Sequence, residues 1–148
     1  MKSASEISSI LQASFTDFPG ADESEISRFL VECRNQLGVE PPYEYQEFLK
    51  QHNGIAGNGV FVYPTRSCKL PDSNIQNSSF IEVNLNWRDL EWMGGYLIFG
   101  DSDMDIYVLE LSNNVFQVRD RQAFDNVFEE FSSFNLLLGH MVSRMVED

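Results

Sequence analysis

The chain has 148 residues, of which 43% are hydrophobic and 13% aromatic, and its formal net charge is −13. This length fits one domain, 1–148, which can bury roughly two thirds of its unfolded surface, and the composition is that of a folded protein rather than a disordered one. The shortage of Lys and Arg argues against direct binding to nucleic acid or to anionic membranes, because both rely on basic residues.

The pattern of hydrophobic residues does not predict membrane insertion or secretion. No window approaches the ~20 apolar residues of a membrane span, and the stretch MKSASEISSILQAS lacks an apolar core long enough for a signal peptide. Cys33 and Cys68 are the only cysteines, and neither belongs to a CxxC pair. We therefore expect a cytoplasmic protein with reduced thiols.

Three helices are predicted in the first part of the chain. A short one is indicated by apolar residues at helical spacing before a break at residues 15–20, namely Ile7, Ile10 and Leu11. The next begins with the capping box of Asp22 and Glu25, ends at Gly38, and carries the apolar stripe Ile26, Phe29, Leu30, Cys33 and Leu37. The third starts near Pro42 and has the apolar face Tyr45, Phe48, Leu49 and His52.

The middle of the chain gives weaker patterns. Residues 59–63 (GVFVY) predict a strand that ends at Pro64, and residues 65–79 predict a polar loop. From Phe80 to Leu90 the apolar residues fit both a strand and a helix face, and we favour a helix.

The second half predicts an antiparallel meander. Its strands are Tyr96 to Phe99, Asp105 to Leu111 and Val115 to Arg119, joined by tight turns. A short helical turn is expected near Asp125 to Phe131, and a last helix follows a cap at Ser132 or Ser133. The predicted fold class is α+β, a single domain with N-terminal helices, an antiparallel or mixed sheet and a C-terminal helix.

Acidic residues concentrate around the first hairpin of this meander. Three carboxylates occupy its turn within five residues, Asp101, Asp103 and Asp105. Such a cluster needs water, a cation or a basic partner to screen its repulsion. A calcium loop is disfavoured, because the sixth and twelfth positions hold Ile106 and Ser112 instead of Gly and Glu.

The sequence favours a protein without catalysis, metal or cofactor. His52 and His140 fall on or beside apolar helix faces and belong to no metal-ligand motif. Cys68 could meet a histidine in a hydrolase, or two carboxylates could act as acid and base, but no nucleophile motif surrounds them. We retain a hydrolase only as a minority alternative.

Two segments carry a family resemblance. PPYEYQEFLKQHNG at 41–54 resembles the LPxDYxxFLxxxNG element of the SUKH superfamily, also called the yeast cell-wall-assembly-regulator family. YLIFGDSDMDIYVLEL at 96–111 resembles that family's strand pair, and the similarity extends over about 22–145, closest to the YrhA-like bacterial branch. The resemblance implies a SUKH-like α+β fold without catalysis. For most bacterial members it implies an immunity protein that neutralises a cognate toxin.

These observations lead to a prediction of the binding surface. Toxic nucleases bind polyanions through basic clefts, and an acidic protein can occupy such a cleft after fast, steered association. We expect the partner-binding residues to be Trp87, Asp89, Glu91, Trp92, Asp101, Asp103, Asp105 and Glu110. The alternative is a non-catalytic cytosolic adaptor or regulatory protein of the same fold that binds another protein.

Overall fold

A computed structural model of the chain describes residues 16–70 and 73–146. Its helices are α1 (Glu23–Leu37), α2 (Tyr43–Gln51), α3 (Phe80–Trp87) and α4 (Phe134–Met145), with a 3₁₀ helix at Glu91–Gly95. Its strands are β1 (Thr16–Pro19), β2 (His52–Gly57), β3 (Val60–Val62), β4 (Cys68–Lys69), β5 (Gln76–Asn77), β6 (Tyr96–Asp101), β7 (Asp105–Glu110), β8 (Val115–Asp120) and β9 (Val127–Phe131).

Side-chain caps begin three of the helices. Asp22 accepts a hydrogen bond from the Glu25 amide at 2.8 Å, and Gly38 ends α1 in the left-handed conformation. Ser79 caps α3 and Ser133 caps α4. Each cap satisfies a backbone donor that would otherwise lack a partner. The N-cap of α1 at Asp22, the helix from Phe80 and the final helix are therefore confirmed.

Within the described residues, the main sheet has seven strands in the order β1-β2-β3-β6-β7-β8-β9, and every ladder in it is antiparallel. β6, β7 and β8 form the predicted meander, with Leu97 opposite Leu109 and Val108 opposite Gln117. The predicted α+β class with a sheet meander and a C-terminal helix is confirmed.

An aromatic core fills the space between the helices and one face of the sheet. The Tyr45 ring of α2 lies 5.1 Å from Phe80 and from Phe99, and 5.3 Å from Phe134, measured between ring centroids. These rings are buried and bring α2, α3, α4 and β6 together. Phe116 joins the cluster, so Phe116 and Val118 of β8 face the helices, whereas Gln117 and Arg119 face the opposite side.

The residues of the PPYEYQEFLKQHNG segment serve this packing. The buried Tyr45 hydroxyl donates to the Tyr63 carbonyl at 2.7 Å. Asn53 accepts from the Thr65 amide at 2.8 Å and donates to the Thr65 hydroxyl at 2.9 Å, which fixes the chain after β3. Gly54 has φ +90°, and a Cβ there would come within 2.9 Å of Pro64.

Four local expectations are wrong. Residues 127–131 form the edge strand β9 rather than a helical turn, since pairing with β8 overrides a short pattern that both periods fit. The break expected at 15–20 contains β1, whose Pro19 is tolerated at a sheet edge. The loop at 65–79 contains the small β4-β5 ladder, and His52 begins β2 instead of extending α2. The expected first helix at Ile7 to Leu11 lies outside the described residues.

Candidate partner-binding surface

An open apolar cavity of about 290 Å³ lies beside Trp92, whose side chain is 53% exposed. The cavity is lined by Trp87, Leu90, Trp92, Arg121, Gln122, Ala123, Phe124 and Asp125. A smaller hollow of about 150 Å³ adjoins it and shares Trp87 and Leu90. Large apolar side chains exposed together in this way mark interaction surfaces more often than isolated ones do.

Buried polar contacts position the α3 side of this cavity. Asn84 of α3 accepts from the Ile98 amide at 2.8 Å and donates to the Ile98 carbonyl at 2.9 Å. Arg88 donates to the Leu37 carbonyl at 2.7 Å. α3 is thus tied to β6 and to the end of α1, and Trp87 and Leu90 are held in place although solvent reaches them.

Phe124 lines the same cavity and packs against Trp92. Its ring centroid lies 5.3 Å from that of Trp92 and 4.9 Å from that of Tyr96, the latter in an edge-to-face arrangement. The Arg119 guanidinium carbon lies 4.5 Å from the Phe124 centroid and 4.9 Å from the Tyr96 centroid. Cation–π contacts of this kind stabilise a loop that carries few other apolar residues.

Acidic residues lie in and next to the lining of the cavity. Asp89 and Glu91 are exposed on either side of Leu90, and Asp125 lines the cavity itself. Arg121 is the one basic residue among the lining residues. We call Asp89, Leu90, Glu91, Trp92 and Asp125 the Trp92 surface.

The hairpin turn between β6 and β7 does not present three equivalent carboxylates. Asp101 accepts a hydrogen bond from the Tyr63 hydroxyl and lies 3.6 Å from Arg121, and burial raises the pKa of its carboxyl. Asp105 is only 6% exposed, and its carboxylate lies 3.9 Å from Arg144. Asp103 is exposed. Solvent therefore reaches one of the three acids freely.

Glu110 is also engaged within the fold. Its carboxylate lies 3.3 Å from the Arg119 guanidinium and accepts from the Asn113 amide at 2.6 Å. Its side chain is 19% exposed. This acid neutralises a base of the protein itself.

Arg121 connects the hairpin turn to the Trp92 surface. Its amide donates to the Met104 carbonyl and its guanidinium to the Ser102 carbonyl, both at 2.9 Å, while the residue also lines the cavity. The two acidic segments that the sequence singled out are therefore neighbours. Sequence reasoning missed the residues that join them, Arg121, Phe124 and Asp125, because the DRQAFDN stretch resembles an ordinary loop.

The described residues contain no group of three or more His, Cys, Asp or Glu that could hold a metal ion. The partly exposed Cys68 thiol lies 3.3 Å from the Arg66 carbonyl oxygen, and burial raises its pKa, which disfavours the thiolate that a nucleophile needs. Over the same residues, no helix is long and apolar enough to cross a membrane.

Comparison with known proteins gives one result at the level of the family. No curated protein matches the chain. The model of the SMI1 / KNR4 family (SUKH-1) matches residues 20–139, from the turn before α1 into α4. Both motif segments, 41–54 and 96–111, lie inside this range, and the expected superfamily is confirmed. The chain belongs to the SMI1 / KNR4 family (SUKH-1).

Proposed function

We propose that this protein is an immunity protein that binds a cognate bacterial toxin domain in the cytoplasm and covers its active site. The observation that carries the proposal is the exposed Trp92 beside an open cavity with acids around it. The SUKH superfamily is known for immunity proteins, which is consistent with this role.

The apolar part of the Trp92 surface supplies an anchor for the partner. Trp92 and Leu90 are 53% and 46% exposed, so that burying them in a complex removes apolar area from water. Tryptophan is enriched among the few residues that dominate binding energy at interfaces. The cavity of about 290 Å³ has room for a side chain of the partner beside the Trp92 and Phe124 rings, which pack against each other.

The acidic part determines which partner is attracted. With a net charge of −13, the protein repels other acidic proteins and attracts basic ones. A toxin that cleaves nucleic acid has a basic cleft, because its substrate is a polyanion. Asp89, Glu91 and Asp103 would take the place of phosphates in that cleft, while Asp101, Asp105 and Glu110 balance the protein's own arginines. Neutralisation of this kind needs no catalysis.

The test uses the toxin domain encoded beside this gene, expressed in cells with the wild-type chain or its variants. The wild type is expected to restore growth, whereas Trp92→Ala combined with Asp89→Lys and Glu91→Lys is expected to fail. Tyr43→Ala combined with Glu32→Lys is the control, because these residues are also an exposed aromatic and an exposed acid, on α2 and α1.

Two results would count against the proposal. Protection by the triple variant equal to that of the wild type would remove the Trp92 surface from the interaction. Failure of the wild type to protect, together with tight binding of a non-toxic protein to the same surface, would favour the cytosolic adaptor.

A further inference from the structure

The outer edge of β9 is the second surface of interest. Among the residues that the structure describes, the sheet order ends at β9, which pairs with β8 on one side through a ladder that shifts register at Phe128. Residues 127–130 are exposed, with Val127 at 40% and Phe128 at 54%. Alternate residues of an edge strand direct their backbone N–H and C=O groups away from the sheet, where another strand can pair with them.

The side chains of β9 are distributed over both faces. Glu129 lies 3.7 Å from His140 of α4, and its side chain is 53% exposed. Glu130 accepts from the Gln117 amide at 2.9 Å on the face opposite the helices. A strand that paired with β9 would therefore meet one carboxylate on each face of the extended sheet.

We infer that β9 receives a basic β-strand of a protein partner and extends the sheet by one strand. Opposite-charge pairs directly across two strands are favourable, and like charges are unfavourable. The arriving strand carries adjacent Lys or Arg residues opposite Glu129 and Glu130, with apolar residues opposite Val127, Phe128 and Phe131. In the antiparallel orientation its residues run apolar, basic, basic, apolar, apolar.

Charge decides against a second copy of this chain as the occupant. The antiparallel register that pairs all five residues of two β9 strands places Glu129 opposite Glu129 of the copy. Residues 120–130 carry four acids and one base, so the two edges repel each other. Charged residues commonly protect edge strands from self-association. Because Glu129 and Glu130 are both negative, they still attract a strand that carries basic residues.

The position of β9 makes it continuous with the Trp92 surface. Asp125 lines the cavity, and Val127 begins β9 two residues later. A partner strand on β9 would bring the adjoining part of its protein to the cavity. The inference deepens the proposed function, on which it depends only for the existence of a basic protein partner.

The experiment uses the full chain and synthetic peptides with the central pattern apolar, Lys, Arg, apolar, apolar. One peptide has N-methyl groups on alternate backbone amides, and another has them displaced by one residue. Because a strand pairs through alternate amides, one N-methylated peptide is expected to lose binding and the other to stay within about threefold of the parent in fluorescence anisotropy. Amide hydrogen exchange at residues 127–131 is expected to slow when the parent peptide is added.

Variants test the charge requirement. Glu129→Lys is expected to weaken binding about tenfold, and Glu32→Lys on α1 to leave it unchanged. Equal binding by both N-methylated peptides, or full binding by Glu129→Lys, would overturn the inference. Light scattering that shows a dimer, and a change in that dimer on Glu129→Lys, would also overturn the inference, because a second copy of the chain would then occupy the edge of β9. Peptide binding to β9 is measured without the toxin. Failure of the growth assay therefore counts against the proposed immunity function, and failure of the peptide experiment counts against strand pairing at β9.

Discussion

The Arg119 guanidinium lies 3.3 Å from the Glu110 carboxylate, on the sheet face opposite the helices. Its Nε donates to the Gln117 side chain at 2.8 Å and its Nη1 to the Phe124 carbonyl at 2.9 Å. A single base therefore neutralises an acid of β7 and holds the loop that forms one wall of the cavity. Glu110, which the sequence analysis placed among the partner-binding residues, instead pairs with the arginine that holds the Phe124 loop.

Arg119→Met is expected to destabilise the protein. The Arg119 side chain is 8% exposed, and its loss removes the base beside the Glu110 carboxylate and the donor to the buried Phe124 carbonyl. We expect the free energy of unfolding to fall by about 2 to 3 kcal/mol, measured by urea denaturation. Arg66→Met is the control, since that side chain is 77% exposed. Equal denaturation midpoints for the two variants would contradict this role of Arg119.

Gly100→Ala tests the close approach of β6 and β3. A Cβ at Gly100 would lie 2.3 Å from the Phe61 carbonyl oxygen, a backbone atom that cannot move without breaking the ladder. The expected loss of stability is about 3 kcal/mol, as for an overpacked core. Gly94→Ala should change stability by less than about 0.5 kcal/mol, because no heavy atom lies within 4 Å of its Cβ position. Equal melting temperatures for Gly100→Ala and Gly94→Ala would contradict the steric clash at Gly100.

Trp92→Ala is expected to weaken binding of the cognate toxin more than it lowers stability. The Trp92 ring packs on Phe124, but the residue is 53% exposed, so folding buries only part of it, whereas a complex would bury the rest. We expect a rise in Kd of at least about 30-fold in calorimetry, the range of an interface hot spot. Tyr43→Ala removes an aromatic residue that is 69% exposed on α2 and should leave the Kd unchanged. An equal rise in Kd for Trp92→Ala and Tyr43→Ala would argue against a specific role of the Trp92 surface.

Asp101→Asn tests the burial of the hairpin acid. Burial raises the pKa of this carboxyl above its usual range, although Tyr63 and Arg121 act in the opposite direction. A raised folded-state pKa means that the native protein binds the proton more tightly than the unfolded chain does. The stability of the wild type relative to Asp101→Asn should thus increase as the pH falls from neutral into the carboxyl range. Urea denaturation of both proteins at several pH values measures their difference in unfolding free energy. If the wild type lost stability relative to Asp101→Asn on acidification, the native pKa of Asp101 would be lowered instead of raised.

The two thiols should differ in reactivity. Burial is the main cause that raises the Cys33 pKa to about 12, so its thiolate is scarce in the native protein near neutral pH. Cys68 is partly exposed and should react with a thiol reagent, whereas Cys33 should react only at the rate of unfolding. Fast labelling of Cys33 in native Cys68→Ser would contradict its burial.

The raised pKa of Cys33 also affects stability at alkaline pH. The stabilisation from the neutral Cys33 thiol should be fully present below the unfolded-state pKa of 9.0 and be lost as the pH rises towards the native pKa of about 12.

Local patterns identified much of the fold. The capping box of Asp22 and Glu25 and the apolar stripe that follows predicted α1, and alternation predicted β6, β7 and β8. Caps and periodicity act within a few residues, so the sequence itself contains the information. β9 was mistaken for a helical turn, because five residues fit either period and the ladder with β8 decides between them.

The composition and motifs of this chain determined an acidic α+β domain and its place in the SMI1 / KNR4 family. The sequence could not separate the acids that face solvent from those that balance a base. Asp105 of β7 is paired with Arg144 of α4, and Glu110 of β7 with Arg119 of the neighbouring strand β8. Strand register and packing bring each pair together. The tertiary structure alone therefore decided which carboxylates remain exposed to solvent and placed Trp92 against Phe124 beside the cavity.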